Sequence, residues 1–202
     1  MRWVRRSAAV VIAAASTVGL GAPAALAAFE FGTVPKLPIL STVTLNAKAQ
    51  TVDTTMTNLS VIDTRGTKSG WNVTVAGQSG TGKSAVFAEY CPKAKCGANA
   101  EGYIAGGKTM AAKSLSLSSA GAKFTGGTGT PPTLQCSPAC NVDSATAVKI
   151  ASAATGGAGE STWTTTGFST TSLALSVPTT LKALASEEIY RVNLLWTLAT
   201  GP

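Results

Sequence analysis

The C-terminal part of the chain alternates apolar and polar residues with a period of two, and this pattern restricts the fold more than any other feature. The alternating apolar residues are Tyr190, Val192, Leu194, Trp196 and Leu198, and Leu195 is the exception to the alternation. Successive side chains of a β-strand point to opposite faces, so these residues would line one face of an extended strand. The pattern predicts a half-buried strand in an antiparallel sheet.

Shorter stretches with the same alternation are spread over the chain and are separated by turn signals that contain glycine. The alternating stretches lie at 42–46, 71–76, 115–117, 148–150 and 173–177. The expected turns lie at 65–66, 69–70, 126–127 and 156–157. A short helical turn is expected at 181–188. Several short strands in one chain predict an all-β, antiparallel β-sandwich-like single domain.

Residues 1–27 have the organisation of a cleaved secretory signal peptide. Three arginines precede an uncharged, largely apolar run at 8–20, and residues 25–27 give the small-x-small pattern of a cleavage site. We expect cleavage after Ala27, a mature domain at 28–202, and a secreted protein with no membrane span. A membrane anchor is the alternative, although the run is shorter than the roughly 20 residues that a spanning helix needs.

The composition excludes several classes of active site. The chain contains no histidine, so Ser-His-Asp catalysis, Cys-His catalysis and histidine-ligated metal sites are excluded. Charged residues make up 12% of the chain, whereas an ordinary soluble domain has about 25%. These features favour an exported, non-enzymatic β protein with neither a cofactor nor a bound metal.

The positive charge of the chain is local. The formal net charge is +7, and three of the arginines lie in the signal peptide. The remaining excess lies in a Gly- and Lys-rich stretch at 78–141, which we expect to be a long loop insertion. Lys93, Lys95 and Lys108 are its candidate contacts with an anionic ligand. Nucleic acid is not the expected ligand, because few arginines remain after cleavage and no aromatic residues alternate with basic ones.

All four cysteines lie in this stretch, as two closely spaced pairs. Cys91 and Cys96 form one pair, and Cys136 and Cys140 form the other. In an exported chain this spacing favours two local disulfides, although the sequence leaves cross-pairing between the pairs open. A metal site built from four thiolates is the alternative, and the oxidising environment expected outside the cell argues against it.

Residues 77–84 read Gly-Gln-Ser-Gly-Thr-Gly-Lys-Ser and match the pattern of a phosphate-binding loop. In nucleotide-binding proteins this loop joins a buried strand to a helix. Here the pattern soon reaches Cys91-Pro92 and the first cysteine pair, which is not a helical context. We therefore expect a loop after a strand and no bound nucleotide.

Two motifs in the chain carry a resemblance to a known family. The distal motif runs from Tyr190 through Leu194, Trp196 and Leu198 to Pro202. The proximal motif, and the segments between the two, read Asp63-Thr64-Arg65-Gly66, Gly70-Trp71-Asn72-Val73, Gly159-Glu160-Ser161-Thr162-Trp163 and Val177-Pro178. Together they resemble the signature of the WxL-domain proteins, with Leu195 where the family has Thr and Val73 where Leu is usual.

The resemblance implies a Gram-positive-type cell-surface protein without catalytic activity. Such domains attach non-covalently to the cell wall by binding peptidoglycan, often beside a partner called a WxL-interacting protein. On this interpretation the lysines at 93, 95 and 108 become candidate contacts for an anionic wall polymer. The cysteine-containing stretch is not part of the family pattern, so the resemblance implies nothing about it.

The alternation also indicates which tryptophans can contact a ligand. Trp71 and Trp196 lie within apolar stripes, so we expect them in the core. Trp163 lies among serine and threonine residues, so we expect it to be exposed and able to stack on a sugar ring.

Two other functions remain open from the sequence. The protein could be an adhesin or a surface-assembly subunit that binds a partner protein through a sheet edge. It could also be a secreted glycoside hydrolase, which needs two carboxylates about 5–10 Å apart. No pair of acidic residues lies in a recognisable hydrolase motif, so this second alternative is the weaker one.

Overall fold

The computed structural model describes residues 8–14, 27–36, 38–92, 96 and 100–202. Its regular elements are all β-strands, which confirms the expected all-β fold class. In chain order they are β1 (Ala8–Ala14), β2 (Phe29–Thr33), β3 (Gln50–Thr54), β4 (Ser60–Asp63), β5 (Trp71–Gly77), β6 (Ala88–Cys91), β7 (Gly102–Tyr103), β8 (Leu115–Leu117), β9 (Lys123–Gly126), β10 (Thr133–Leu134), β11 (Cys140–Asn141), β12 (Val148–Ala153), β13 (Ser161–Thr166), β14 (Leu173–Val177) and β15 (Ile189–Thr200).

The strands form three sheets. The largest has seven strands, namely β10, β12, β5, β15, β6, β7 and β1. The other two have four strands each, in the orders β2-β4-β13-β9 and β11-β8-β14-β3. Among the described residues, β1 and β15 run parallel and the other strand pairs are antiparallel.

The terminal strand β15 has neighbours on both of its edges. β5 pairs with 194–200 and β6 pairs with 189–191, while β1 pairs with 190–196. Because β1 overlaps both β5 and β6 along β15, it must occupy the edge opposite to them. β5 and β6 therefore follow one another along a single edge of β15, separated by the segment 78–87.

One hydrophobic core contains residues of all three sheets, which is consistent with a sandwich. Trp71 of β5, Val61 of β4 and Leu117 of β8 are among its fully buried side chains. Along β5, buried and half-buried residues alternate from Trp71 to Gly77, as the period of two predicts. Apolar surface removed from water contributes about 25 cal/mol per Å², and this burial holds the sheets together.

The stretch 78–141 is more regular than the expected loop insertion. It contains six strands, β6 to β11, and these are distributed over all three sheets. Phe87 and Met110 from this stretch are also buried in the common core. The physical reason is that its short apolar segments pair with strands far away in sequence, which a local reading of its glycines and lysines does not reveal.

The two expected local disulfides are confirmed. Cys91 bonds to Cys96, and Cys136 bonds to Cys140. Cys91, Cys96 and Cys136 are buried and Cys140 is half-buried, so both bridges lie largely within the protein interior. The described residues contain no free cysteine and no cluster of acidic or thiol side chains able to hold a metal ion.

The backbone that precedes β15 differs from the expectation. The helical turn expected at 181–188 is wrong, since this segment consists of irregular backbone and a turn that lead into β15. In the described part of the chain, no helix is long and apolar enough to cross a membrane. Residues 1–7 and 15–26, most of the expected signal peptide, lie outside the described residues.

A buried carboxyl group joins β8 to the segment that follows β11. Asp143 is fully buried, and its two oxygens accept hydrogen bonds from the backbone N–H groups of Ser114 at 2.9 Å and Leu115 at 2.8 Å. Burial raises the pKa of Asp143 from 3.8 to about 6, although the backbone donors act in the opposite direction.

Asp143→Asn should change the pH dependence of stability. With its raised pKa, Asp143 contributes stability that is present below about pH 4 and is lost as the pH rises through about 6. Asparagine does not titrate. The free energy of unfolding of the wild type, measured against that of Asp143→Asn by urea denaturation, should therefore fall by roughly 2 kcal/mol between pH 4 and pH 7.

Asp53→Asn is the matched control, because Asp53 lies in β3 and is exposed. It removes one carboxyl group from the surface, whereas Asp143→Asn removes one from the core. A difference between the wild type and Asp143→Asn that stays constant over this pH range would contradict the raised pKa.

Candidate functional site

The proximal and distal motifs lie side by side as β5 and β15. Trp71 pairs with Thr200, Val73 with Leu198, and Val75 with Trp196 in an antiparallel register. Of the distal residues, Val192 and Leu194 have no exposed surface, Leu198 is half-buried and Pro202 is exposed. The two motifs are therefore one paired structure, although more than a hundred residues separate them in sequence.

Arg65 of the proximal motif connects three parts of the fold. Its Nε donates to Oδ1 of Asp63 at 2.8 Å, and its Nη2 donates to Oδ2 at 2.9 Å. Its Nη1 donates to Oγ1 of Thr200 at 2.7 Å, and the guanidinium lies 3.5 Å from the ring centroid of Phe29. A bidentate ion pair with a stacked aromatic ring exploits the planar geometry of arginine, which lysine lacks.

The same corner is closed by backbone and amide hydrogen bonds near the end of β15. Nδ2 of Asn72 donates to the carbonyl of Gly201 at 2.7 Å, and the N–H of Gly201 donates to the carbonyl of Gly70 at 3.2 Å. The hydrogen bonds from Arg65 lower the pKa of Asp63, which burial alone would raise. The motif residues at this corner thus form hydrogen bonds and an ion pair with one another.

Trp71 is held by the segment that precedes β13. Its indole Nε1 donates to the carbonyl of Gly159 at 3.0 Å, and its ring packs edge-on against Phe124 with centroids 6.0 Å apart. A Cβ at Gly159 would lie 2.6 Å from Trp71 Nε1 and 2.4 Å from the Cβ of Ala153, and the φ of Gly159 is +72°. The glycine of the Gly-x-x-x-Trp segment is required by this close approach.

The expectation that Trp163 is exposed is wrong. Only 3% of Trp163 is accessible, and its Nε1 donates to the carbonyl of Glu160 at 2.7 Å. Gly127 lies against the ring so closely that a Cβ there would be 2.1 Å from it. The residues next to Trp163 in sequence, Thr162 and Thr164, point to the opposite face of β13. The face that carries Trp163 is covered by Gly127, which follows β9. In this structure Trp163 cannot stack on a sugar.

Trp196 and Tyr190 are buried, as expected for an apolar stripe. Tyr190 donates its hydroxyl to the carbonyl of Lys182 at 2.8 Å. Trp196 is 3% exposed, and its indole N–H has no hydrogen-bond partner among the described residues. Together with Trp71, these side chains form core and not a ligand platform.

Of the three candidate lysines, the structure describes Lys108. Lys93 and Lys95 lie outside the described residues. Lys108 is partly exposed, and its Nζ lies 3.2 Å from Oε1 of Glu89, so its charge is largely paired within the domain. Lys83 and Lys113, from the same basic stretch, are exposed.

Two buried carboxyl groups meet beside Lys108, and no sequence pattern predicts this pair. Glu89 of β6 and Glu188 before β15 are hydrogen-bonded to each other and almost inaccessible to solvent. Burial and the neighbouring Glu89 carboxylate raise the pKa of Glu188. Burial acts to raise that of Glu89 as well, but hydrogen bonds from Lys108 and Glu188 bring the pKa of Glu89 below its usual value. The interaction between the two carboxyl groups therefore separates their pKa values, with that of Glu188 raised and that of Glu89 lowered.

The segment that matches a phosphate-binding loop joins β5 to β6 and is not followed by a helix. Its ends bond to β15: the N–H of Gln78 donates to the carbonyl of Asn193, and the N–H of Asn193 donates to the carbonyl of Ser84, both at 2.8 Å. The N–H of Gln78 is therefore occupied within the fold and is not available to a phosphate.

The comparison with known families decides the identity of this arrangement. A family described as WxL domain surface cell wall-binding matches residues 24–202, nearly the whole chain. The chain belongs to the WxL family. It is accordingly a surface protein that binds the cell wall. No curated protein and no solved structure matches the chain.

The WxL signature is therefore mainly a set of structural residues. Trp71 and Trp196 lie in the core, while Arg65 and Asn72 join the start of β5 to the end of β15. From the sequence, Arg65 was identified only as part of the proximal motif, and its ion pair with Asp63 was not predicted. The signal was available, because residues two apart in an extended segment can place their side chains on the same side.

Gly159→Ala should destabilise the domain by about 3 kcal/mol, because the new methyl group meets Trp71 and Ala153 and the backbone has a positive φ. Urea denaturation measures this change. Gly156→Ala is the matched control: its φ is +91° but a Cβ there meets nothing within 4 Å, so only about 1 kcal/mol of backbone strain is expected. Equal losses in the two variants would show that the contact with Trp71 does not matter.

Asp63→Asn should remove part of the stability of the domain at neutral pH, by about 2 kcal/mol, since it removes the charge that faces Arg65. The pKa of Asp63 is lowered, so its contribution is present above about pH 4 and is lost as the pH falls through the folded pKa. Acid titration followed by circular dichroism should show the wild type approaching the variant as the pH falls. A gap between wild type and variant that stays constant down to pH 2 would contradict the assignment.

Proposed function

We propose that this WxL protein is secreted and attaches non-covalently to peptidoglycan as a non-enzymatic component of the cell surface. The observation that carries the proposal is the family match over 24–202, which begins close to the predicted cleavage site after Ala27. The export pattern of residues 1–27 and the two disulfides both suit an extracellular location.

The arrangement of the carboxyl groups supports a function without catalysis. A glycoside hydrolase needs two carboxyl groups about 5–10 Å apart, with room for a sugar between them. Glu89 and Glu188 are instead hydrogen-bonded to each other and covered by Lys108, so no sugar fits between them. Their role is to hold the start of β15 against β6.

The wall contact is proposed to involve exposed cationic side chains and not the signature tryptophans. Trp71, Trp163 and Trp196 are buried, so they are not available to a wall polymer. The basic stretch contributes exposed lysines, and the sequence adds Lys93 and Lys95 between Cys91 and Cys96. Such a surface favours an anionic wall polymer as its ligand. The distance over which the opposite charges attract each other shortens as the ionic strength rises.

A pull-down of the folded protein on purified peptidoglycan sacculi, with and without their secondary polymers, tests this proposal. The double variant Lys93→Gln/Lys95→Gln should be retained less than the wild type, and rising salt should weaken the wild type toward the variant. Lys108→Gln is assayed separately, because it also removes the partner of Glu89.

The control for charge is Lys48→Gln/Lys182→Gln, which removes the same charge from exposed positions outside the basic stretch. It should be retained like the wild type. Retention that is unchanged by salt and by the Lys93 and Lys95 substitutions would exclude the electrostatic contact. Release of soluble sugar from the sacculi would exclude a non-enzymatic function.

A second candidate function is an assembly subunit or adhesin that binds a partner surface protein, such as a WxL-interacting protein. The observation that favours it is the edge of β15 opposite β5. In this structure that edge pairs with residues 8–14, which belong to the expected signal peptide.

A further inference from the structure

The outer edge of β15 is occupied by a segment that the mature protein is expected to lose. β1 runs parallel to β15 over seven residues, with Val10 opposite Val192 and Ile12 opposite Leu194. β1 falls wholly within residues 1–27. If the chain is cleaved after Ala27, the longest strand of the domain is left without this neighbour.

The backbone of β15 indicates which groups would then be free. Asn193 directs its N–H to Ser84 and its carbonyl to Gln78, which is the side of β5 and β6. Backbone groups of successive strand residues point to alternate edges, so Val192 and Leu194 direct their N–H and carbonyl groups to the opposite edge. In the part of the chain that the structure describes, β1 alone pairs with that edge.

An open edge of this kind is unusual. Native sheets shield their edges with charges, prolines, bulges or covering segments, because unpaired backbone groups invite another strand. Between 190 and 196 the strand contains neither proline nor glycine, and Arg191 is its single charged residue. The guanidinium of Arg191 lies 4.2 Å from the ring centroid of Tyr90 and does not protrude freely over the edge.

We propose that, in the mature protein, this edge of β15 accepts an extended, uncharged apolar segment of a partner protein, which adds a parallel strand to the sheet. This inference rests on the proposed export of the chain. The chemistry of the segment follows from the strand now seated there, Ala-Ala-Val-Val-Ile-Ala-Ala. Backbone hydrogen bonds would supply affinity, and the side chains opposite Val192 and Leu194 would supply specificity.

The parallel direction favours a different protein over a second copy of this chain. Two copies that pair through the same edge about a twofold axis must run antiparallel at the contact. A parallel donor has no such symmetry and must come from a different segment.

A synthetic peptide with the sequence of residues 7–16 tests the proposal. It is added to the mature chain 28–202 and to the full chain 1–202, and amide hydrogen exchange is followed by NMR. At a concentration ten times its Kd, the peptide should slow exchange at Val192 and Leu194 of 28–202 by about tenfold. The full chain, whose own β1 fills the edge, should show no such change.

N-methylated peptides provide a matched pair of controls. In the observed parallel register, the carbonyls of Val192 and Leu194 accept from the N–H groups of peptide positions 11 and 13. Methylation of these two nitrogens should abolish binding. Methylation at positions 10 and 12, whose N–H groups face away from β15, should weaken it much less.

The possible outcomes separate clearly. Binding by 28–202 with this methylation pattern, or folding of 28–202 only when the peptide is present, supports the strand-acceptor edge. No binding, equal loss with both methylation patterns, or a dimer of 28–202 whose contact is the β15 edge overturns it. Sacculus retention is measured independently, so failure here leaves the proposed wall binding unaffected.

Discussion

The antiparallel pairing of β5 with β15 is the constraint on which the rest of this structure depends. It places the two signature motifs in register from Trp71–Thr200 to Gly77–Leu194 and creates the central part of the largest sheet. Arg65, Asp63 and Asn72 stabilise one end of the pair, and the segment 78–84 folds back against Asn193 at the other. The contact is made between residues far apart in sequence, so it requires that most of the domain has folded.

This dependence explains why the tryptophans that identify the family are poor candidates for ligand contact. Trp71 of β5 and Trp196 of β15 bury large aromatic surfaces on one face of the central pair, and Trp163 is covered by Gly127. Loss of wall binding after a change at any of them would report a loss of folding. The proposed wall contact therefore uses exposed groups, and the lysines of the basic stretch are its candidate charged residues.

The same central strand, β15, also has the edge at which we propose that a partner protein binds. One edge of β15 is satisfied within the domain by β5 and β6, while the other pairs with a segment expected to be removed on export. A chain that leaves the cell with one long open edge would be prone to aggregation unless a partner covers it. Wall binding and partner binding would then use different surfaces of one domain and need not compete.

The sequence by itself determined the features that depend on local pattern. Period-two alternation indicated the strand at 190–198 and the burial of Trp71, because side chains of a strand alternate between faces whatever they pack against. The spacing of the cysteines indicated the two local disulfides, because export favours oxidation of nearby thiols. Only the tertiary structure decided the burial of Trp163, the Glu89–Glu188 pair and the strands within 78–141. Each of these depends on a partner brought close by long-range strand pairing, and no local pattern specifies which distant segments meet.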